Sequence, residues 1–224
     1  MSKLVWDTVG EHFYETGVKN CVLYPQASNG TYPTGVAWSG ITAINESPEG
    51  GDPNDSYADD IKYLTIRGTE NYNGTITAFY SPEEFDACDG TASLATGISV
   101  RMQERQTFGL CYRTSIGNDT DGTAHGYKLH LIYGASASPS SKDHNTINES
   151  PEPAELSWEF TTIPVPVPGF KPSAVIEIDS TKIDSAKLTI LENALYGVDA
   201  DAEHNIEAST PYLPLPARIL ELIA

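Results

Sequence analysis

The segment Phe108-Gly-Leu-Cys-Tyr-Arg-Thr-Ser-Ile-Gly-Asn-Asp-Thr-Asp-Gly-Thr-Ala-His-Gly-Tyr-Lys-Leu-His-Leu-Ile-Tyr-Gly-Ala135 alternates with a period of two. Phe108, Leu110, Tyr112, Thr114 and Ile116 alternate with Thr107, Gly109, Cys111, Arg113 and Ser115. Beyond the run from Gly117 to Gly122, Tyr127, Leu129, Leu131 and Tyr133 alternate with Lys128, His130 and Ile132. Successive strand side chains point to opposite faces, so this pattern sorts apolar from polar groups. The intervening Gly, Asn and Asp are turn formers. The segment therefore reads as a long hairpin with one apolar and one more polar face.

The same pattern recurs on both sides. Leu156, Trp158, Phe160 and Thr162 alternate with Ser157, Glu159 and Thr161, and Ala174, Ile176 and Ile178 with Val175, Glu177 and Asp179. Runs at 36–44, 61–66 and 75–80 are apolar on both faces, as expected where both sides of a sheet are covered or where a face meets another subunit. Two helices are legible from their ends. Ser81-Pro82-Glu83-Glu84 offers a capping box with Pro at the first helical position and Gly90 two turns on, which predicts a short plug. Asp184 can cap a helix running to Tyr196, with Ile183 and Leu188 as a hydrophobic staple, Gly197 as its stop, and Leu188, Leu191 and Leu195 on one covering face.

The connections carry further expectations. Residues 45–60 are polar, acidic and without periodicity, which predicts a long exposed loop; such loops in compact domains are usually functional or disordered. Residues 134–153 read as a second loop. The hexapeptide Ile-Asn-Glu-Ser-Pro-Glu occurs at 44–49 and again at 147–152, each beside a Trp-containing strand, and a shared turn requirement accounts for it. Prolines at 164, 166, 168 and 172 forbid a ladder strand and give an extended linker that protects a sheet edge. Residues 211–224 read as an extended Pro segment with an apolar tail, which must be tucked into its own domain or into a neighbour.

The 224 residues carry 31 acidic and 13 basic side chains, a formal charge of −18 with His neutral. A chain of this size buries about 70% of its unfolded surface, so one core needs no disulfide or metal. The charge argues against gripping nucleic acid through phosphates, which requires clustered Lys and Arg. Identical copies repel, so any assembly must rest on apolar contact or strand pairing and should strengthen with salt. The first residues lack the apolar stretch of a signal peptide and no run reaches the roughly 20 residues of a membrane span, which reads as a soluble chain made in a cytoplasm. Six glycosylation sequons, at Asn29, Asn45, Asn54, Asn73, Asn118 and Asn148, are then better read as turn punctuation. Cys21, Cys88 and Cys111 fit reduced, mostly buried thiols.

Site chemistry is sparse. His12, His125, His130, His144 and His204 form no ligand array, and His125 and His130 read as polar strand surface. Residues 118–122 resemble part of a calcium loop, but the bidentate Glu expected further on is absent, so a turn is the better reading. GxSxG, GxxxxGK and GxGxxG are all missing. Glu83 with Glu84 and Asp59 with Asp60 are adjacent on the chain, and neighbours on a strand point apart, which disfavours a shared-proton pair. No catalytic, cofactor-binding or metal-ligating residue is expected.

Residues 108–135 resemble the major tail protein of long-tailed, non-contractile phages of Gram-positive bacteria. Gly17-Val18-Lys19 through Leu23-Tyr24-Pro25, Gly35-Val36-Ala37-Trp38, residues 57–64, Ser81-Pro82-Glu83-Glu84-Phe85, Ser157-Trp158-Glu159 and Pro168-Gly169-Phe170-Lys171-Pro172 are similar to that family in the same order, so the likeness runs from about residue 6 to 196. It implies a mainly β tail-tube protein: a β-sandwich or partial barrel with one flanking helix and a short capping helix, closing into hexameric rings that stack into a hollow tube for DNA ejection. On that basis residues 1–197 form the tail-tube domain, with an N-terminal arm and the long loop 45–60, and 198–224 a C-terminal arm. Leu4, Trp6, Glu46, Pro48, Asp52, Tyr57, Leu213, Leu215, Ile219 and Leu220 are the candidate contacts between subunits or rings. Asp59, Asp60, Glu70, Glu104, Glu159 and Glu177 are the candidate acidic lining of the lumen. The implied partners are further copies, the tape-measure, terminator and distal tail proteins, and passing double-stranded DNA; no membrane and no cofactor are implied, and the place is the virion tail. A monomeric β-sandwich binding or cell-surface recognition module with a ligand pocket is the alternative, motivated by turn-rich short strands and aromatics expected to be exposed, such as Tyr32, Tyr57 and Tyr72. A β-sandwich hydrolase comes third.

Overall fold

Residues 3–142, 146, 149, 153–200 and 207–224 are described by the computed structural model. In chain order the elements are β1 (Tyr14–Pro25), β2 (Val36–Ala37), β3 (Ile41–Gly50), β4 (Pro53–Ala58), β5 (Ile61–Arg67), β6 (Glu70–Ala78), a 3-10 turn (Glu83–Phe85), β7 (Ala92–Ala95), β8 (Ile98–Val100), β9 (Phe108–Asn118), β10 (Gly122–Ala137), β11 (Leu156–Thr162), β12 (Val175–Asp179), α1 (Ser185–Tyr196) and α2 (Pro216–Leu222). The chain is mainly β. An eight-stranded antiparallel sheet runs in the order β2-β1-β9-β10-β11-β6-β3, with β12 also on β10.

The hairpin read from the central segment is present, with Tyr112 opposite His130 and Leu110 opposite Ile132. At its turn the side chain of Asn118 accepts from the amides of Thr120 and Asp121, as the turn reading requires. β10 then pairs with β12 through Lys128–Ile132 and with β11 through Ala135–Ala137. Gly134 sits between those ladders with φ of 61°, at a register shift. A bulge there bends the strand, so that one strand serves two partners.

The bend lets the sheet fold over itself. Ile76 and Ala78 of β6 and Trp158 and Phe160 of β11 pack over Leu23, Phe108, Leu110 and Ile132 of the central strands. Phe85 and Trp38 plug this layer, their rings 4.5 Å apart. The opposite face of the same strands, through Val22, Tyr24, Cys111, Leu129, Leu131 and Tyr133, is covered by Leu188, Leu191 and Leu195 of α1 and by Leu213 and Ile219. Both faces of the central hairpin are therefore covered, where the sequence suggested one apolar and one polar face. Cys21, Cys88 and Cys111 are free and buried, as expected, and burial pushes the Cys88 and Cys111 thiols up to about 12.

The helix α1 forms as read: Asp184 accepts from the amides of Ala186 and Lys187, and Gly197 follows with φ of 76°. Residues 81–90 depart from expectation. The turn there is 3-10, capped by Pro82 with no side-chain hydrogen bond, so the Ser81 capping box does not form; burial of Phe85 fixes the segment instead.

Two loop readings are also corrected. Residues 45–60 are not a loop: β3 extends to Gly50, β4 follows, and the pairing continues from β3–β6 into β4–β5, making one long hairpin from Ile41 to Ala78. Side-chain periodicity is absent because β4 and β5 cover no core, and backbone pairing needs none. Gly50 and Gly51, with φ of 85° and 72°, break the ribbon into a sheet-bound and a free half. Residues 134–153 likewise begin as strand, β10 continuing to Ala137, and most of the second hexapeptide lies outside the described residues.

Residues 207–224, part of the expected C-terminal arm, pack against their own domain. Leu213 is 2% exposed, its amide bonds the carbonyl of Tyr32, and the Tyr133 hydroxyl donates to the carbonyl of Pro214 at 2.9 Å. The apolar tail after the Pro segment is helical, with Pro216 at the first turn, where its missing N–H costs nothing.

Candidate functional site

Two places outside the core stand out, one a surface and the other a cluster of side chains. The surface is the free half of the long hairpin. Asp59 and Asp60 form its tip, both at positive φ, matching the two-residue turn whose twist suits antiparallel strands. Every residue of β5 is exposed. Tyr57 is 70% exposed, Ile61 62%, Tyr63 69% and Ile66 61%. The hairpin is held by its own ladder, by Lys62 on Asp55 at 2.8 Å and by Thr65 on Asp55 at 2.6 Å. Leu94 and Ile98 are exposed on the smaller hairpin β7–β8. β3 ends the strand order of the main sheet, so among the described residues no strand pairs with its second edge.

The side-chain cluster lies where the folded-over sheet meets the central strands. Tyr112, His130 and Glu177 stand side by side across β9, β10 and β12. Tyr112 and His130 stack with ring centroids 4.6 Å apart, nearly parallel. Glu46 shares its β3–β6 register row with Gly74 and so lies over them from the other layer. The hydroxyl of Tyr112 donates to Glu46 Oε1. Burial, and then the Glu46 carboxylate, push the phenols of Tyr72 and Tyr112 well up, so both stay protonated donors. His130 is 5% exposed. Its Nδ1 lies 3.5 Å from Glu46 Oε1 and 3.9 Å from Glu177 Oε1. Its Nε2 lies 3.0 Å from Thr114 Oγ1 and 3.4 Å from Glu15 Oε1. Glu15 in turn accepts from Lys128 at 2.7 Å; burial works to raise its carboxyl, and the bonds from Lys128 and Thr114 overcome that and hold it low.

An open groove adjoins the cluster, lined by Phe13, Glu15, His125, Lys128, Asp179 and Lys182 among others. Its charges neutralise in pairs, Lys128 on Glu15 and Lys182 on Asp179 at 3.0 Å, leaving no converging acid and base.

The candidate contact residues divide. Leu4, Trp6, Pro48, Asp52, Tyr57 and Leu220 are exposed. Glu46 turns inward to the cluster, Leu215 is half-buried, and Leu213 and Ile219 are buried in their own core, which removes the last two from the outer surface of the folded chain. The acidic candidates are scattered: Asp59 and Asp60 at the hairpin tip, Glu70 beside Gly51 at its base, Glu104 between β8 and β9, Glu159 on the outer side of β11, and Glu177 beside His130. Of the alternative's tyrosines, Tyr57 is exposed, while Tyr32 is buried in the helix-side core and Tyr72 half-buried beside Glu46. His130 corrects the reading of a polar surface residue: it lies on the second face of β10, which the folded-over sheet covers. His125 is partly exposed and pairs with Asp121 at 3.2 Å; His144 and His204 lie outside the described residues. No linear spacing announces the meeting of Glu46, His130 and Glu177, because it needs three strands and the fold-over of the sheet. Among the described residues no helix is long and apolar enough to cross a membrane.

No protein-family model and no curated protein matches the chain. Among solved structures it is similar to the sheath/tube terminator of the extracellular contractile injection system PVC in the extended state, with a TM-score of 0.35 and 10% identity over 79% of this chain and 99% of that one. It is similar to the tube-terminating cap of the anti-feeding prophage, with a TM-score of 0.34 and 10% identity over 80% and 97%. For a chain of the PVC sheath-tube complex the values are 0.32 and 15%, over 71% and 88%. Scores and identities this low do not transfer a function.

Proposed function

We propose that the chain is a structural subunit of a phage tail tube, closing into hexameric rings that stack into the conduit for DNA ejection. The observation that carries self-assembly is the free hairpin β4–β5: Tyr57, Ile61, Tyr63 and Ile66 lie in water on a chain whose −18 charge otherwise favours dispersal. Ile61 and Tyr63 stand on one face of β5 and Ile66 on the other, so both faces of the free hairpin carry exposed apolar groups of the kind that mark interaction surfaces. Burying each such side chain is worth on the order of 1.5–3 kcal/mol, which works against the screened repulsion between copies on whichever face makes the contact. The open edge of β3 offers strand pairing as a second contact, and ring closure would remove it. The ring number, the stacking and the passage of DNA come from the resemblance to tail-tube proteins. The acidic excess then has a mechanical use, because phosphate finds no binding stations along a negative wall. The work of such a subunit is geometric, with no reaction catalysed.

The test is sedimentation velocity with electron microscopy at rising protein and salt concentration. Rings or tubes that grow with salt are expected. Tyr63→Glu with Ile66→Glu should abolish them while the monomer melts unchanged. A monodisperse monomer under every condition overturns the proposal.

A further inference from the structure

We infer that Glu46, His130 and Glu177 form a binding site for one divalent transition-metal cation, with Zn2+ the best match. The inference is independent of whether the chain assembles. It begins with the proton inventory of His130. The hydroxyl of Thr114 donates its hydrogen to Glu15 Oε1 at 2.5 Å, so toward His130 its oxygen can only accept, at 3.0 Å from Nε2. Nε2 therefore carries a ring proton, and Nδ1 is the nitrogen left to offer a lone pair to a metal ion. That nitrogen is buried and has no hydrogen-bond partner. It faces two carboxylate oxygens, Glu46 Oε1 at 3.5 Å and Glu177 Oε1 at 3.9 Å, which are acceptors as well. The Tyr112 hydroxyl donates to Glu46, and the two carboxylates facing Nδ1 favour positive charge at this point, which a metal ion touching all three ligand atoms would supply.

The geometry suits a metal. The three ligand atoms lie within 4.8 Å of one another. Bonds of about 2.1 Å in a tetrahedral site separate ligand atoms by about 3.4 Å, so small side-chain movements close the set. Hydrogen bonds of the kind that orient metal ligands are present, with Nε2–H on an oxygen and Tyr112 donating to Glu46, and the ring is further held by stacking on Tyr112. Glu15, Glu46 and Glu177 supply three carboxylates against Lys128, which is bound to Glu15 at 2.7 Å and lies 3.9 Å from Glu177. The Glu177 side chain is 50% exposed and that of Glu46 30%, which gives a path from solvent. One imidazole with two carboxylates favours Zn2+ over Ca2+, which takes six to eight oxygens. A water would complete the tetrahedron. Since the ligands come from β3, β10 and β12, the ion would fasten the folded-over layer to the central strands.

The test uses the full chain, stripped with chelator and titrated with Zn2+, Mn2+ or Ca2+, with bound metal counted after equilibrium dialysis. One Zn2+ per chain is expected, with Ca2+ not competing. At free Zn2+ a hundredfold above the dissociation constant, the melting midpoint should rise by about 5 °C or more. Glu177→Gln, half-exposed and so tolerated by the fold, should weaken binding at least tenfold, and His130→Gln should abolish it; His12→Ala should change neither. In the imidazole 15N spectrum the Nδ1 signal of His130 should move on adding Zn2+. Binding that survives Glu177→Gln and His130→Gln, or an Nδ1 that carries a proton and ignores Zn2+, overturns the inference.

Discussion

The strands of the central hairpin β9–β10 and strand β5 of the free hairpin β4–β5 are rich in the same apolar and aromatic residues, yet the first has both faces covered and the second has neither. Leu110, Leu129, Leu131 and Tyr133 are wholly buried, while Ile61, Tyr63 and Ile66 stand in water. Composition makes a strand in either place, and only its neighbours decide what it contributes. β9–β10 organises the monomer, since α1, α2 and the folded-over sheet all pack on it. β4–β5 is held by its own ladder and stabilises little else in the chain. Apolar residues placed where they give the monomer so little are the residues available for contact with something beyond it.

The sharpest way to break that contrast is to strip a cover from the central hairpin. Deleting 211–224 removes Leu213, Ile219 and the acceptor of the Tyr133 hydroxyl. Each buried aliphatic is worth about 2–5 kcal/mol, and together they approach the 5–15 kcal/mol total stability of an ordinary domain. The truncated chain should show no cooperative melting by calorimetry. Unchanged melting would mean that these residues serve a neighbour after all. Leu131→Ala, in the middle of β10, should cost about 2–5 kcal/mol and lower the midpoint by about 5–15 °C. Asp184→Ala, which removes the two cap bonds of α1, should cost about 1 kcal/mol.

How much of this was legible follows from how local each signal is. The central hairpin, β11, β12 and α1 could be read because alternation, turn residues and caps act over a few positions. Pairing between strands without a core carries no such imprint, so residues 45–60 looked like a loop and turned out to be β3 and β4. The helix after Pro216 was hidden by the prolines before it, although Pro at a first turn is a helix signal. At the candidate site, the apolar run 61–66 was visible as a surface awaiting cover. Glu46 and Glu177 were singled out for other reasons, and His130 was passed over, because their meeting depends on a bulge at Gly134 and on β6 and β11 lying over β10. The burial of Leu213 and Ile219 depends in the same way on where α1 sits.

A smaller effect concerns the N-terminal segment, which is tied to the hairpin turn. The amide of Gly10 donates to Asp119, and His12 lies 3.1 Å from the same carboxylate. The Gly10 amide first and His12 second hold the Asp119 carboxyl down at about 2. A carboxyl that is more acidic folded than unfolded stabilises fully above its unfolded value, near 4, and loses that contribution as pH falls through its folded one. Hydrogen exchange at Gly10 and His12 should therefore quicken, relative to the core amides, between about pH 4 and pH 2. Asp119→Asn should show the quickened pattern already at pH 7.

The smallest expected effect on the monomer is the most informative about the comparison. Tyr63→Ala and Ile61→Ala on β5 remove no buried contact, so each should change the melting midpoint of the dispersed chain by less than about 0.5 kcal/mol equivalent. The same substitutions should raise the protein concentration at which assemblies appear in sedimentation at high salt, because there the two side chains are exchanging water for a neighbour. A fall in monomer stability with no change in assembly would place the cover of β5 inside its own chain, and the two hairpins would then differ in degree only.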